Sequence, residues 1–129
     1  MDYDLEARHV HIEDDGEILT MGFSDDQFAP RKYVLLQKAL KPDEQERKLG
    51  LDKIHIEVQD QGRSGYGGVS SIRYSPSRLL IELSEAARKC LDISGNIRIV
   101  LPNDTGAVGD MPVALFRASN GEFALDLQA

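Results

Sequence analysis

Residues 53–60 read KIHIEVQD, and the alternation within this stretch decides the fold class. Ile54, Ile56 and Val58 occupy every second position, and polar residues stand between them. Successive side chains of an extended chain point to opposite faces, so this spacing predicts a strand with one face on a core and one in water. A sheet with one solvated face is typical of antiparallel structure. The stretch therefore predicts a mostly antiparallel sheet.

Further strands are predicted on both sides of this stretch, with turn residues every eight to twelve positions. The predicted strands comprise residues 6–13, 17–23, 31–40, 53–60, 69–74, 78–83, 96–101, 113–118 and 122–127. Three hairpins are expected, around Asp14-Asp15-Gly16, around Ser75-Pro76-Ser77 and around Asn120-Gly121, a dipeptide that favours tight turns. Two segments have helical alternatives, because residues 31–40 are apolar on both faces and residues 113–119 also suit a helix.

Two helical segments are predicted between these strands. Residues 42–50 are polar, start near a proline and end on a glycine, which indicates a short exposed helical turn. The main helix is expected over residues 84–92, capped by its first serine, with Ala87, Cys90 and Leu91 on one apolar face. We therefore expect an α+β fold, mostly antiparallel β-sheet built from hairpins with one main helix (about 84–92) packed on it.

The remaining segment and the length of the chain complete this expectation. Residues 102–112 contain two prolines and two glycines, which predicts an exposed, mobile loop. The 129 residues hold no Pro/Gly/Ser-rich linker, so a single domain over residues 1–129 is expected.

Charge and cysteine usage indicate a soluble cytoplasmic protein. Fifteen basic and twenty-two acidic residues give a formal net charge of −7, which disfavours nucleic acid and anionic membranes as partners. Cys90 is the single cysteine and cannot form an internal disulfide. The residues from Met1 onward have neither the basic nor the apolar region of a signal peptide, and no run approaches the ~20 apolar residues of a membrane helix.

No motif in the chain is typical of an enzyme or a metal protein. The imidazoles of His9 and His11 share one strand face, and His55 and Glu57 would complete a metal site only if their strands were neighbours. Such residues are more often solvated, so we expect no metal and no cofactor. The helix face expected around Cys90 is apolar, and no serine stands in a Gly-x-Ser-x-Gly motif, so no catalytic residue is expected.

The segment from Gln61 to Gly68 is the most distinctive in the chain. It contains four glycines together with Arg63 and Tyr66. Four glycines could let backbone amides approach an anion, but the Gly-Lys-Ser/Thr sequence and the following helix of a phosphate-binding loop are missing. We therefore expect a structural turn or bulge that displays Tyr66.

Three features in order resemble the immunity protein 10 family of bacterial antitoxins. Residues 33–37 form a hydrophobic run that ends in Leu-Gln, and residues 43–45 form an acidic Asp-Glu-Gln turn. Residues 57–61 follow a Glu-x-x-Asp-Gln pattern that leads to Tyr-Gly-Gly at residues 66–68. The resemblance spans residues 33–101 and implies a small cytoplasmic protein, without catalysis, that neutralises a toxin domain encoded beside it.

The resemblance also implies a protein partner, a cognate toxin. The positions that match the family features are Gln37, Glu57, Asp60, Gln61, Tyr66, Gly67 and Gly68. Acidic turns can steer association with a basic partner surface. Partner contacts are accordingly expected at Glu57, Asp60, Gln61, Arg63, Tyr66, Asp14, Asp15 and Glu17.

Two alternatives belong to other functional classes. The histidine-bearing strand faces would suit a small-molecule or metal-binding domain, which metal analysis of the purified protein would detect. Exposed strand edges would suit a self-associating structural domain, and a homodimer is also compatible with an antitoxin.

Overall fold

The structure, a computed structural model, describes residues 2–103 and 106–128 of the chain, apart from the side chain of Gln61. The fold is α+β, with ten strands and three helices among the described residues, which confirms the predicted class. The elements are β1 (Tyr3–Glu6), β2 (His9–Asp14), β3 (Ile18–Ser24), β4 (Tyr33–Ala39), α1 (Glu44–Lys48), β5 (His55–Val58), β6 (Asp60–Tyr66), β7 (Val69–Ser75), β8 (Arg78–Leu83), α2 (Glu85–Leu91), β9 (Ile97–Val100), α3 (Ala107–Ser119) and β10 (Ala124–Leu127).

The strands form two five-stranded sheets. The first sheet has the order β1-β9-β8-β7-β10, and the second has the order β2-β3-β4-β5-β6. Pairing is antiparallel except that β1 and β10 run parallel to β9 and β7 at the two edges of the first sheet. The strand predicted over residues 6–13 is divided between the sheets, because Ala7 N donates to Val100 O and Arg8 N donates to Ser24 O.

The inner faces of the two sheets share one core. Alternate residues of neighbouring strands lie in register and are buried, as the alternation predicted. One such row in each sheet consists of Met21, Leu36 and Ile56 and of Ile72, Ile81 and Ile97. All six side chains belong to a single cluster of buried residues. Residues 33–39 are therefore a central strand, not the alternative buried helix.

The first two helices follow the sequence prediction closely. Helix α1 has a capping box between Asp43 and Glu46 and no buried residue, as expected for an exposed turn. Helix α2 starts at the Ser84 cap, whose side chain accepts from Ala87 N, and it packs against β6. The prediction that Cys90 shares the apolar face was wrong. Its side chain is exposed, because the buried positions are Ala87 and Leu91 one helical turn apart.

The C-terminal quarter differs most from the prediction. The main helix is α3, not residues 84–92, and it replaces both the second half of the expected loop over 102–112 and the strand over 113–118. Residues 104 and 105 of that loop lie outside the described residues. Val108, Met111, Leu115 and Ala118 are buried at helical spacing, and the proline among them hid this period.

Pro112 lies inside α3 and leaves one helical carbonyl without its usual partner. That carbonyl belongs to Val108, four residues earlier, and it accepts a hydrogen bond from the hydroxyl of Tyr74 at 3.3 Å. A buried carbonyl with a partner carries no desolvation penalty, so the first sheet supplies what the helix cannot. The helix continues past its proline because β7 places this hydroxyl beside it.

The expected C-terminal hairpin around Asn120-Gly121 was also wrong. Both residues have positive φ angles, 35° and 78°, but they end α3 instead of joining two strands. The left-handed conformation that suits a tight hairpin turn also suits the C-terminus of a helix. The chain then runs into β10, which pairs with β7 of the first sheet.

Candidate partner-binding surface

A continuous polar row crosses the outer face of the second sheet. The strand registers place Glu13, Thr20, Gln37, His55 and Tyr66 opposite one another in that order. None of the five side chains is buried, because the alternation turns them away from the core. The row ends at the edge strand β6 on an aromatic residue, which gives this edge a polar surface with one large apolar side chain.

Tyr66 is about half exposed, with 53% of its surface accessible, at the end of β6. Its ring is tilted by 53° against the ring of His55, with centroids 4.7 Å apart. This contact fixes the aromatic side chain on the sheet before any partner arrives. The Nδ1 atom of His55 is buried and has no hydrogen-bond partner among the residues that the structure describes.

A groove of about 370 Å³ runs beside Tyr66 at this end of the sheet. It brings Tyr66 together with Glu17, two of the predicted contact residues that lie 49 positions apart in the chain. Gln37, which matches the family pattern, also lines it. Sequence reasoning missed Ile18, whose side chain is 45% exposed in the groove. The signal was the alternation of β3, because Leu19, Met21 and Phe23 on the core face place Ile18 on the outer face.

Two glycines hold the chain in place directly after Tyr66. Gly67 and Gly68 have φ angles of +76° and +80°, a region that L-residues other than glycine rarely adopt. A Cβ atom on Gly68 would lie 2.5 Å from the Cβ of Ala87 in α2. The carbonyl of Gly68 accepts from Ser84 N at 2.7 Å. The Tyr-Gly-Gly segment is therefore an edge strand and a tight connection packed on α2, with only its aromatic side chain presented to solvent.

Glu57 lies on the outer face but is held within the sheet. Its Oε2 atom accepts a hydrogen bond from the Tyr33 hydroxyl at 2.6 Å. Burial and then this hydrogen bond to a carboxylate raise the pKa of Tyr33 to about 12. The strand pairing shifts register between Glu57 and Val58, which accords with the bulge expected near this segment.

Asp60 and Arg63 do not line the groove beside Tyr66. Asp60 begins β6 and accepts from the Gly62 amide, and because Asp60 pairs with Val58 and Tyr66 pairs with His55, three residues of β5, about 10 Å, separate Asp60 from Tyr66 along the sheet. The Arg63 Nε atom donates to the carbonyl of Leu91 at 2.8 Å, so its guanidinium ties β6 to the end of α2. The side chain of Gln61 lies outside the described residues.

The acidic residues of the turn differ in whether their carboxylates already have partners within the chain. Asp14 forms an ion pair with Arg117 of α3. The Asp15 carboxylate accepts from the amides of Ile18 and Glu17, and these hydrogen bonds lower its pKa. The carboxylate of Glu17 is exposed and lines the groove, so it is the member of the turn that faces the Tyr66 region.

The possible metal ligands are not brought together. His9 and His11 lie on β2, whereas His55 and Glu57 lie on β5, and two further strands separate them. Three inter-strand steps amount to about 14 Å, far beyond the reach of one metal ion. Across residues 2–103 and 106–128 no group of three histidine, cysteine or acidic side chains is placed to hold a metal.

The architecture defines a small α+β protein of two sheets around one core, with a groove at the end of its second sheet. The chain belongs to the Immunity protein 10 family, whose model matches residues 6–109. This match confirms the family suggested by the sequence features. No curated protein sequence matches the chain. None of the helices that the structure describes is long and apolar enough to cross a membrane.

Proposed function

We propose that this protein is a non-catalytic immunity protein that binds a cognate bacterial toxin domain in the cytoplasm and blocks it. The observation that carries the proposal is the family match over residues 6–109. A fixed, half-exposed Tyr66 beside a groove supports binding as the mode of action. Exposed aromatic side chains on ordered surfaces are typical anchors of protein interfaces.

We infer that the toxin contacts the groove, with Tyr66 as its apolar anchor and Glu17 as its charged contact. Glu17 is the acidic-turn carboxylate in the groove, since Asp15 is bound to its own turn and Asp14 is paired with Arg117. The groove is lined by two glutamates and three lysines (Glu17, Glu46, Lys38, Lys41 and Lys53), so its local charge is mixed. The net charge of −7 accelerates encounter with a basic toxin at low salt, and Glu17 is the exposed carboxylate that meets it in the groove.

The other predicted contact residues have supporting roles in this proposal. Glu57 ties β5 to β4 through Tyr33, and Arg63 ties the edge strand β6 to the end of α2. Asp60 and Gln61 begin β6, and Asp60 lies about 10 Å along the sheet from Tyr66, so they contact the toxin only if its footprint extends along the edge beyond the groove.

Co-expression with the toxin domain encoded beside this gene tests the proposal. We expect host survival and recovery of a complex with the wild-type protein. Tyr66→Ala should weaken the complex by roughly 30-fold or more, the effect of losing a central aromatic anchor. Phe116→Ala is the matched control, because Phe116 is also an exposed aromatic but lies on α3, which packs at β2 and β3.

The results of this experiment distinguish a failure of the proposed immunity function from a failure of the proposed binding site. Host death without a complex would contradict immunity by binding. Survival with equal losses of affinity in both variants would retain immunity but contradict the assignment of Tyr66. Glu17→Lys should slow association and reduce its salt dependence, and an unchanged rate would contradict the electrostatic contribution.

A further inference from the structure

A second, larger cavity lies on the first sheet, away from the Tyr66 groove on the second. Its volume is about 1150 Å³, and it is lined by β1, β9, β8 and β7 and by the loop between β3 and β4. This position is where the chain crosses from one sheet to the other, beside Ala7 and Arg8. The cavity therefore has the first sheet and the loop between β3 and β4 as its walls.

The charge of the cavity is opposite to that of the chain. Four lining residues are acidic: Asp4, Glu6, Asp25 and Asp26. Six lining residues are basic: Arg8, Arg31, Lys32, Arg73, Arg78 and Arg98. Arg73 is paired with Asp126, and Arg98 is paired with Asp2 and Asp4, so the positive charge of this surface comes from the cations left unpaired within residues 2–103 and 106–128, Arg8, Arg31, Lys32 and Arg78. Such cations attract anionic groups locally.

Three of the four carboxylates are already engaged. Asp25 accepts from the amides of residues 31 and 32 at 2.9 and 3.2 Å, and Asp26 accepts from the amides of residues 28 and 29 at 2.9 and 3.0 Å. Asp4 accepts from Arg98 Nε at 2.9 Å. These hydrogen bonds fix the loop and the edge strand, and the carboxylates keep their negative charges.

Three guanidinium groups remain available to a ligand. Arg8, Arg31 and Arg78 are exposed and form no ion pair with any residue in the described parts of the chain. They come from three different segments, the connection between β1 and β2, the loop between β3 and β4, and strand β8, and all three line the same cavity. The planar guanidinium group binds carboxylates through two parallel hydrogen bonds, which makes it the preferred cation for such ligands.

Apolar side chains accompany these cations. Val100 is 48% exposed on β9 within the cavity. Phe28 is 89% exposed and precedes Ala29, which lines the cavity. The hydrogen bonds of Asp26 hold the backbone of this loop, so the aromatic ring is presented on an ordered turn. A mixture of free arginines and exposed apolar groups fits a ligand that carries both carboxylates and hydrocarbon.

We propose that this cavity binds an acidic segment of a partner protein, with carboxylates on Arg8, Arg31 and Arg78 and an apolar side chain against Val100. A short peptide segment brings few charges, whereas a nucleic acid would be repelled by the net charge of −7. The assignment is independent of the toxin, because it concerns the other sheet.

The test measures binding of a fluorescein-labelled peptide of alternating glutamate and leucine to the full chain by anisotropy at low salt. The triple variant Arg8→Gln, Arg31→Gln, Arg78→Gln should weaken binding about tenfold or more, and added salt should weaken binding to the wild-type protein. The control Arg47→Gln, Lys48→Gln, Lys89→Gln removes the same charge from exposed positions outside the cavity and should change affinity less than about twofold.

Each other outcome overturns the proposal. If the wild-type chain shows no measurable binding of the peptide, the proposed binding site is contradicted. Equal losses in the two triple variants would indicate general charge attraction. Tighter binding of a single-stranded oligonucleotide of equal charge would assign the cavity to nucleic acid, and equal binding of a glutamine–leucine peptide would remove the role of the guanidinium groups. All six positions are exposed, so both triple variants should unfold at the same temperature as the wild-type protein.

Discussion

Replacing Gly68 by alanine tests whether the Tyr-Gly-Gly segment is held by packing. The φ angle of +80° makes alanine unfavourable there by about 1–2 kcal/mol, whatever space is available. The new Cβ would also lie 2.5 Å from the Cβ of Ala87 and 3.0 Å from Ser84 Oγ. Overpacking of this kind adds about 1–3 kcal/mol, because helix α2 must shift. We expect Gly68→Ala to lower the free energy of unfolding by about 2–5 kcal/mol in total.

Gly50→Ala provides a matched control for the backbone effect. Gly50 has a φ angle of +77°, but a Cβ there would meet nothing within 4 Å. The control should therefore lose only the backbone contribution, about 1–2 kcal/mol. Urea denaturation gives both free energies of unfolding, provided that the m-values stay unchanged. Equal values within about 0.5 kcal/mol would refute the close packing of Gly68 on α2.

Three further predictions concern contacts that hold the fold. Lys38 and Glu122 form a buried ion pair, so Lys38→Met or Glu122→Gln alone should lower the free energy of unfolding by about 3–5 kcal/mol, and additive losses in the double variant would contradict their coupling. Tyr74→Phe should destabilise by about 1–3 kcal/mol in chemical denaturation, since the carbonyl of Val108 loses its donor, and a neutral effect would contradict that role. The folded pKa of Asp15 lies below its ordinary 3.8, so its stabilisation is present above that pH and is lost as the pH falls through the folded pKa. Asp15→Asn should therefore flatten the acid limb of stability measured from pH 6 to pH 2, and an unchanged limb would contradict the lowered pKa.

Most strands of both sheets could be predicted because alternating apolar residues indicate alternating burial. Strand β6 was missed, because its glycines predicted a turn or bulge over residues 61–68, and so was most of β1. Ile54, Ile56 and Val58 follow the period of a half-buried strand, and all three are buried. The secondary-structure prediction failed where one short sequence motif is compatible with two different structures. The dipeptide Asn120-Gly121 suits a hairpin and also a helix end, and the choice depends on the distant surface that buries α3.

The sequence predicted the exposed aromatic residue of the candidate site, but it did not predict which of the charged side chains already have partners within the chain. Tyr66 follows from a glycine-rich edge that can present a large side chain. Whether a charged side chain is free depends on partners far away in the chain. Asp14 is paired with Arg117 and Arg63 is bound to the carbonyl of Leu91, and neither contact leaves a local pattern. The groove likewise depends on strand register, which sets residues such as Glu17 near Tyr66 only once the sheet is formed.

Calorimetric titration of the neighbouring toxin domain into this protein tests the central claim most directly. We predict saturable binding with a 1:1 ratio of toxin to chain, whether the chain is a monomer or a homodimer. Tyr66→Ala should raise the dissociation constant roughly 30-fold or more, and Phe116→Ala should leave it within about threefold. Absence of binding would contradict the proposed immunity function, and tight binding that Tyr66→Ala leaves unchanged would contradict the groove as its site.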